Sequence, residues 1–367
     1  MRARLRIAVM AMLVGSFGSV AVKPGVVMAA SDAAQVTAPG HKWAVVLHGG
    51  AGVIERKSMK PETEAAYRAA LKRSIQAAAA VLEKGGSSVD AVEAAIKLME
   101  DNPLFNAGKG AVFTADGKNE LDAAIMDGAT MKAGAVADVT RTKNPISLAR
   151  AVMDKSPHVM LIGAGADQFA ASVGLQQVDP SYFFTERRWQ NLIRQLKKEG
   201  APLPQRPAGA PPAPTGGMAE IEPPDAHKYG TVGVVALDKN GNIAAGTSTG
   251  GTQAKRWNRV GDSPIIGAGT YASNQSCAVS ATGTGEYFIR LTVARTICSL
   301  VQYKGMRLQA AVDEVVLKEL GAIHGEGGVI AVTPDGQLAW GFNTPGMYRA
   351  RIVQGGAVQV GIYSDEK

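Results

Sequence analysis

The stretch YGTVGVVALDKNGNIAAGTST, residues 229–249, decides the fold of this 367-residue chain. Residues 231–238 form an alternating apolar run, and residues 243–249 form a second run of small, apolar and hydroxyl-bearing side chains. The turn between the runs contains an Asn-Gly pair, which is the strongest short signal for a β-hairpin. The stretch therefore predicts an antiparallel hairpin whose first strand begins at Thr231.

A proline-rich segment precedes this hairpin. Residues 201–224 contain eight of the 18 prolines of the chain and show no periodic apolar pattern. Such a segment cannot bury enough apolar surface to order itself. We predict that residues 201–229 form an exposed, flexible tether, which lies between an N-terminal part (31–230) and a C-terminal part (231–367).

The rest of the chain places hairpins between helices. Helices are predicted over residues 62–84, 89–101, 144–154, 184–198, 287–302 and 308–320. Strands are predicted over residues 44–47, 111–113, 121–126, 159–162, 265–271 and 276–281, with a turn at 48–52, a hairpin over 111–126 and a last hairpin joining 328–333 to 337–342. This arrangement favours an α+β fold with antiparallel sheets flanked by helices over a doubly wound parallel sheet.

The first 30 residues have the pattern of a cleaved export signal. Arg2, Arg4 and Arg6 precede an apolar run over residues 7–22, and small residues follow at 28–30. A membrane anchor needs about 20 unbroken apolar residues, whereas glycines and serines interrupt this run. We therefore expect cleavage near residue 30 and a periplasmic or secreted mature chain, not bound to a membrane.

The composition excludes several classes of partner. Residues 1–30 carry four basic and no acidic side chains, so their removal lowers the formal net charge from +7 to +3. No cluster of Lys and Arg with interleaved aromatic residues remains, which argues against nucleic acid as a partner. The five histidines show no ligand spacing, so a catalytic metal site is not expected.

Two cysteines, Cys277 and Cys298, leave two alternatives open. Export would permit a disulfide between them. Two buried free thiols fit the sequence at least as well, because the distance between the residues cannot be read from it. Neither cysteine has the neighbours that a nucleophile needs.

The Gly230-Thr231 step combines a flexible glycine with a hydroxyl. A threonine hydroxyl is a weak nucleophile without a base beside it. If the bond before Thr231 is cut, the new α-amine, with an expected pKa of about 7.7–8.0, becomes a general base on the same residue. This predicts self-cleavage between Gly230 and Thr231. The simpler alternative is a β-branched residue that begins a strand.

Three downstream clusters favour the catalytic interpretation. TSTGG at 247–251 brings hydroxyls beside the start of the Thr231 strand. RVGDSP at 259–264 holds Arg259 and Asp262, which suit the carboxylate and ammonium of an amino acid, although a surface ion pair is the ordinary alternative. TGTGE at 282–286 offers hydroxyls and backbone amides suited to an oxyanion hole, although it also fits a helix-capping turn.

Taken together, these segments resemble the plant-type asparaginase/isoaspartyl peptidase family of N-terminal nucleophile hydrolases. The resemblance covers nearly all of the chain after residue 43 and follows one order of motifs. These are HGGAG at 48–52, NAGKG at 106–110, MDG at 126–128, GTVG at 230–233, the three clusters above, and NTPGMYR at 343–349. Single motifs are weakly specific, whereas their joint order is highly specific.

The resemblance implies a role for each candidate residue. Thr231 is then the nucleophile, and Thr249 is the hydroxyl that tunes and orients it. Arg259 and Asp262 hold the α-carboxylate and α-amino group of the aspartyl part of the substrate. Thr282 and Gly283 are the oxyanion donors, and Gly285 lies in the segment that lines the amino-group site. The remaining residues of the substrate site are Val260, Gly261 and Thr284.

The family also implies an architecture and partners. The expected fold is a four-layer αββα sandwich that assembles as a homodimer of cleaved chains, acts on L-asparagine or β-aspartyl dipeptides and requires no cofactor. A loop that binds structural sodium through backbone carbonyls is expected to use Met99, Glu100, Asn102, Phe105, Ala107 and Lys109. Two alternatives stay open: a glycosylasparaginase-type amidase, and a non-catalytic exported protein that binds amino acids through Arg259 and Asp262.

Overall fold

Two β-sheets lie face to face in the computed structural model, which describes residues 42–213 and 230–366. The predicted export signal and residues 214–229 of the predicted tether lie outside this part of the chain. The larger sheet contains β1 (Ala44–Gly52), β2 (Leu121–Asp127), β3 (Ala133–Val139), β4 (Met160–Ile162), β5 (Val232–Leu237), β6 (Ile243–Thr249), β11 (Gly346–Val353) and β12 (Gln359–Tyr363). The smaller sheet contains β7 (Thr270–Ala272), β8 (Ala278–Gly283), β9 (Gly327–Val332) and β10 (Leu338–Phe342).

The predicted hairpin lies at the centre of the larger sheet. Its strand order is β12-β11-β1-β5-β6-β2-β3-β4, and that of the smaller sheet is β10-β9-β8-β7. The pairs between these strands are antiparallel except for the parallel pair β3–β4. The β5–β6 pair has a straight register from Val232 opposite Ser248 to Leu237 opposite Ile243. The Asn-Gly turn therefore joins the two central strands, as predicted.

Helices cover the outer faces of both sheets. The described helices are α1 (Pro61–Glu83), α2 (Ser88–Glu100), α3 (Pro145–Lys155), α4 (Gly163–Ser172), α5 (Glu186–Glu199), α6 (Gly285–Leu291), α7 (Val293–Lys304), α8 (Leu308–Asp313) and α9 (Leu320–Ala322), with a π-helical turn at Glu314–Glu319. Helix α2 begins at Ser88, one residue before the predicted start, and the Ser87 hydroxyl caps it by accepting a hydrogen bond from the amide of Asp90 at 3.1 Å.

Both faces of the larger sheet are buried, which creates two cores. Val45 and Leu47 of β1 pack with the apolar sides of α1 and α2. Val46, which points the other way, packs with the smaller sheet, for example with Val279. Side chains alternate between the faces of a strand, so one strand contributes to both cores. The layers are helix, sheet, sheet and helix, and the predicted αββα sandwich is confirmed.

Three local predictions are wrong. The glycines at 48–52 do not form a turn, because β1 continues to Gly52 through a bulge between His48 and Gly50. Residues 111–113 form no strand, and the partners of β2 are β3 and β6 instead. Glycine-rich sequence is compatible with a bulged strand as well as with a turn, and the choice here depends on pairing with distant strands.

The two C-terminal helices are also more broken than predicted. The helix expected over 287–302 is divided at Thr292, which has a left-handed φ of 45°. The helix expected over 308–320 contains the π-helical turn. Neither interruption has a glycine or proline to signal it.

The first part of the proline-rich segment contacts the folded body. Residues 201–213 have no helix or strand. Arg206 nevertheless lies 4.5 Å from the ring of Phe184 and donates hydrogen bonds to Glu186. A free tether therefore stays a prediction for residues 214–229 only.

The cysteine alternatives resolve to a disulfide. Cys277 and Cys298 are bonded, and they connect the residue before β8 to α7. Within the described residues, none of the helices is long and apolar enough to cross a membrane.

Candidate active site

Polar side chains line one end of the space between the two sheets. Thr231 immediately precedes β5, Thr249 ends β6, and Asp122 lies in β2. Val232 pairs with Ser248, and Asp122 pairs with Thr249. The register therefore places Thr231, Thr249 and Asp122 in one row across three adjacent strands, on the face that looks toward the smaller sheet.

The two predicted threonines are in direct contact. Thr231 Oγ1 donates a hydrogen bond to Thr249 Oγ1 at 3.0 Å. Thr249 Oγ1 also accepts a hydrogen bond from the amide of Gly251 at 3.0 Å. Both threonines are buried. The Thr231 hydroxyl is thus held by a neutral polar partner and shielded from bulk water, beside the peptide bond that joins it to Gly230.

A buried histidine that the sequence assigned no role holds the backbone of Thr231. His48 Nδ1 lies 3.0 Å from the carbonyl oxygen of Thr231, and His48 Nε2 lies 3.1 Å from Ser280 Oγ. Because a carbonyl only accepts, Nδ1 carries the proton and Nε2 accepts from Ser280. Burial lowers the pKa of His48 to about 3, so the ring is neutral.

The second glycine of the GTVG motif, Gly233, leaves space for the contact between His48 and Ser280. A Cβ on Gly233 would lie 1.9 Å from Ser280 Oγ and 2.3 Å from His48 Nε2. Ser280 continues the network to Thr247 at 2.7 Å, and Thr270 donates to Thr247 at 2.6 Å. The two sheets are therefore joined beside Thr231 by a row of hydrogen bonds rather than by apolar packing.

Asn106, which the sequence named only as part of a motif, connects both sides of the site. Its amide donates to the carbonyl oxygen of Gly230 at 3.1 Å, and its own carbonyl accepts from the amide of Gly250 at 3.1 Å. Its side-chain Nδ2 donates to the carbonyl of Gly251 at 2.8 Å. The carbonyl of the predicted scissile bond is therefore polarised by a fixed backbone donor.

The predicted recognition pair meets across a glycine. A Cβ on Gly285 would lie 2.8 Å from Arg259 Nη2 and 3.0 Å from Asp262 Oδ1. The guanidinium and the carboxylate therefore flank the same small surface, although they form no ion pair with each other. Arg259 instead forms a bidentate pair with Glu286, at 2.8 Å for Nε–Oε1 and 3.0 Å for Nη2–Oε2. This partner of Arg259 was not predicted.

The carboxylates around Arg259 differ in their environments. Asp262 is buried, its Oδ2 has no hydrogen-bond partner, and burial raises its pKa to about 7. Glu286 is half exposed, and its hydrogen bonds from Arg259 lower its pKa. A buried carboxylate that receives no hydrogen bond from a cation is costly. Asp262 is therefore suited to accept a positively charged ligand group.

The TGTGE cluster lies where β8 gives way to α6. Thr282 is buried in β8, and its hydroxyl accepts from the amide of Ala51 at 3.4 Å. Gly283 ends the strand, and Thr284 is the N-cap residue of α6 without a side-chain capping bond. The ordinary capping interpretation is therefore not supported for the Thr284 hydroxyl. Val260 is half-buried and Gly261 is buried, in the turn between Arg259 and Asp262.

The loop after α2 presents backbone oxygens. A Cβ on Gly108 would lie 2.3 Å from the carbonyl oxygen of Glu100, and one on Gly110 would lie 2.0 Å from that of Phe105. Only glycine backbones let the loop close on these carbonyls. Three more carbonyls of the predicted set, those of Met99, Asn102 and Ala107, accept hydrogen bonds from backbone amides of the loop. The side chain of Lys109, whose carbonyl completes the set, has its Nζ 5.1 Å from the centre of the Tyr182 ring.

This donor set fits a hard cation held by backbone oxygens. A carbonyl oxygen has two lone pairs, so an oxygen that accepts one hydrogen bond from an amide still has a lone pair for an ion. Over residues 42–213 and 230–366, no cluster of three or more His, Cys, Asp or Glu side chains is placed to hold a metal ion.

Comparisons with known proteins identify relatives over nearly the whole chain. A sequence model of the family described as asparaginase matches residues 41–362. The chain is 47% identical to the isoaspartyl peptidase of Escherichia coli (strain K12), over 89% of this chain and 97% of the relative. It is 41% identical to a probable isoaspartyl peptidase/L-asparaginase 2 of Arabidopsis thaliana (88% and 99% covered) and to a plant-type L-asparaginase of Pyrococcus abyssi (85% and 97% covered).

Proposed function

The chain belongs to the asparaginase family, and on that premise we propose that it hydrolyses β-aspartyl dipeptides and L-asparagine. The predicted family is confirmed, and the relatives reported above carry the names isoaspartyl peptidase and L-asparaginase. The observation that carries the proposal is the hydrogen bond from Thr231 to Thr249, at the first residue of the central hairpin. This hydrogen bond orients a hydroxyl in the same site as Arg259 and Asp262, which suit the α-carboxylate and α-ammonium groups of an amino acid.

The first step we propose is self-cleavage. Thr231 Oγ attacks the carbonyl carbon of Gly230, whose oxygen is held by the Asn106 amide. The new C–O bond replaces the C–N bond, and the hydroxyl proton goes to the departing nitrogen. That nitrogen becomes the free α-amine of Thr231. Water then hydrolyses the resulting ester, which restores the hydroxyl and leaves Gly230 with a carboxylate.

The freed amine completes the catalytic site. As a neutral base it takes the proton of Thr231 Oγ, which attacks the side-chain carbonyl of the bound aspartyl group. Thr282 and Gly283 stabilise the oxyanion. Arg259 binds the α-carboxylate, and Asp262 binds the α-ammonium. An amino acid or ammonia leaves with the proton, and water releases aspartate from the ester.

Mass spectrometry of the purified protein tests this proposal. Two chains should appear, and the smaller should begin Thr-Val-Gly-Val and end at residue 367. Cleavage should occur in pure protein at a rate independent of its concentration. Thr231→Ala should stay whole and inactive, whereas Thr231→Ser keeps a hydroxyl and should cleave slowly. A fully active enzyme whose Gly230–Thr231 bond is intact would contradict the mechanism, because the base would not exist.

Substrate assays separate the remaining alternatives. Kinetics should be compared for a β-aspartyl dipeptide, L-asparagine and an asparagine glycosylated on its side chain. Turnover of the first two but not the third supports the proposal. Preference for the glycosylated substrate supports the glycosylasparaginase alternative. An intact chain that binds aspartate without turnover supports the non-catalytic binding protein.

We also propose that the mature protein is exported. The pattern of residues 2–22 supports this, and so does the disulfide, because disulfides persist in oxidising compartments. Fractionated cells should yield a periplasmic chain that begins near Ser31. Cytosolic protein that keeps Met1 would contradict export.

Two further family properties are proposed here. The carbonyls of the 99–109 loop would hold a sodium ion that stabilises the loop, and the cleaved chains would form a homodimer. Replacement of sodium by choline should lower the melting temperature. Sedimentation should give twice the mass of one cleaved pair. An unchanged melting temperature or a single cleaved pair would contradict the respective proposal.

A further inference from the structure

A cluster of buried charges lies next to the proposed catalytic row. Lys255 Nζ donates to the carbonyl of Glu120 at 3.2 Å and lies 3.5 Å from Glu120 Oε2. Asp122 is fully buried, and its Oδ1 accepts from the amide of Asp138 at 3.0 Å. Its second oxygen, Oδ2, has no hydrogen-bond partner. A buried carboxylate oxygen without a donor is costly, so its retention calls for a function.

In the part of the chain that the structure describes, the Thr249 hydroxyl lacks a hydrogen-bond acceptor, whereas Asp122 Oδ2 lacks a donor. Its oxygen accepts from the Thr231 hydroxyl and from the Gly251 amide, which uses both lone pairs. Its own hydroxyl proton is left to donate, and no acceptor for it is found among the described residues. A donor without an acceptor and an acceptor without a donor are therefore both present in this region.

The sheet register brings the two together. Asp122 in β2 is directly opposite Thr249 in β6, on the same face of the sheet. Directly opposed residues of an antiparallel pair have Cβ atoms about 4.5–5.5 Å apart. We propose that Asp122 is a positioning residue, whose carboxylate accepts the hydroxyl proton of Thr249 in the working enzyme, directly or through one water molecule. This proposal rests on the proposed function of Thr231.

The consequence is a hydroxyl relay of fixed direction, from Thr231 through Thr249 to Asp122. With its proton held by Asp122, Thr249 presents only lone pairs to Thr231. Without that acceptor, the Thr249 proton can turn toward Thr231 Oγ and occupy the lone pair that must attack. The third member of a catalytic triad orients its neighbour in the same way.

Lys255 supports the carboxylate form of Asp122. Burial raises the pKa of Asp122, and the positive charges of Lys255 and Arg259 oppose that rise. Lys255 Nζ also lies 3.2 Å from the position of a Cβ on Gly251. Lys255 therefore lies beside Gly251, whose amide donates to Thr249, and its positive charge also favours the ionised form of Asp122.

A double-mutant cycle on the full chain tests the relay. Asp122→Asn preserves shape and, with its oxygen facing the Asp138 amide, places an NH2 donor where the acceptor Oδ2 was. It should lower kcat for a β-aspartyl dipeptide, and slow self-cleavage, by about ten- to a hundredfold, with KM changed less than about twofold. Thr249→Val should cause a comparable loss, and the double variant should be little worse than either single one. Because Thr249→Val slows cleavage, the cycle is measured on the cleavage rate of fresh precursor.

Two variants isolate the hydroxyl. Thr249→Ser keeps the relay and should remain sensitive to Asp122→Asn. Asp127→Asn, at the far end of the same strand, is the matched control and should leave kcat and the cleavage rate near wild type. If Asp122→Asn does not fold, Lys255→Met should give the same loss in kcat with little change in KM.

Several results would overturn the relay. Losses that multiply in the double variant would show that Asp122 acts independently of Thr249. A raised KM with normal kcat would place its effect at Arg259 and Asp262. A normal kcat in folded Lys255→Met or Asp122→Asn would remove the role altogether. Failure of the proposed function is distinguishable, because wild-type chains would then stay whole.

Discussion

Arg259 and Glu286 form a bidentate ion pair, with both carboxylate oxygens of Glu286 within 3.0 Å of guanidinium nitrogens. Arg259 is the residue proposed to bind the α-carboxylate of the substrate. Glu286 therefore engages the Nε and Nη2 edge of the guanidinium, whose Nη2 borders the small surface at Gly285, and leaves Nη1 beside Gly261. Because this pair forms in the folded chain, the arginine is positioned before a substrate arrives.

Glu286→Gln should weaken substrate binding without slowing the chemical step. The pair is partly exposed, and such pairs contribute about 0.2–1 kcal/mol, so KM should rise by up to about fivefold. Steady-state kinetics on a β-aspartyl dipeptide measures this. Glu314→Gln, which removes an exposed pair with Lys318, is the matched control. An equal fall in kcat and kcat/KM would assign Glu286 to the transition state instead.

Asp262→Ala should leave a folded, cleaved enzyme with poor turnover. The variant loses the charge-assisted contact with the substrate ammonium, worth about 1.5–3 kcal/mol, so kcat/KM should fall by about ten- to a hundredfold or more. Kinetics on the cleaved protein, with mass spectrometry to verify cleavage, checks this. Near-normal kinetics would remove Asp262 from the site.

The pH dependence of kcat/KM should reflect the raised pKa of Asp262. Only the ionised carboxylate pairs with an ammonium group, so the ionisation of Asp262 should add a step near pH 7 to the acid limb of kcat/KM. This step lies below the one expected at about 7.7–8.0 for the Thr231 α-amine, which must be neutral to act as the base. The bound ammonium favours ionisation, so the acid limb of kcat should lie at lower pH. A kcat/KM that is flat between about pH 5.5 and 8 contradicts this assignment.

The stability effect of Asp262 has the opposite sign from that of an ordinary paired carboxylate. The folded chain keeps the proton up to about pH 7, whereas the ordinary pKa of an aspartate side chain is 3.8. Its contribution to the free energy of unfolding is therefore complete below that lower value and is lost as pH rises through 7.

Gly233→Ala should disrupt the link between the sheets. The new Cβ would overlap Ser280 Oγ and His48 Nε2, and such overpacking costs about 1–3 kcal/mol. The melting temperature and the cleavage rate should both fall, because His48 also holds the carbonyl of Thr231. Gly165→Ala, in α4 with no atom outside the local helix backbone within 4 Å of the new Cβ, is the control and should not destabilise the protein. Equal stability of the two variants would show that the contact relaxes freely.

Local signals predicted much of the fold. The Asn-Gly turn acts over a few residues, so the central hairpin could be predicted from sequence. Helices α1 and α2 have local signals of the same kind, Pro61 as the first residue of α1 and Ser87 as the cap of α2. The glycines at 48–52 could not be interpreted in this way, because a bulged strand and a turn use the same residues. Strands β11 and β12 were not predicted, although the Gly355-Gly356 pair lies in the turn between them.

The sequence by itself determined which residue types carry the proposed chemistry. Gly230-Thr231 at the start of a strand, Thr249 at the end of its partner, and Arg259 with Asp262 in a short loop were all recognisable from chain order. These relations are local, or they follow from one hairpin.

Only the tertiary structure decided which distant side chains meet them. His48 reaches Thr231 because β1 pairs with β5, Asp122 lies opposite Thr249 because β2 pairs with β6, and Cys277 meets Cys298 because α7 packs on β8. Strand order and register depend on the burial of both faces of the larger sheet, which is a property of the whole sandwich. No short segment encodes those pairings, so the buried partners of the site could be found only after the layers were assembled.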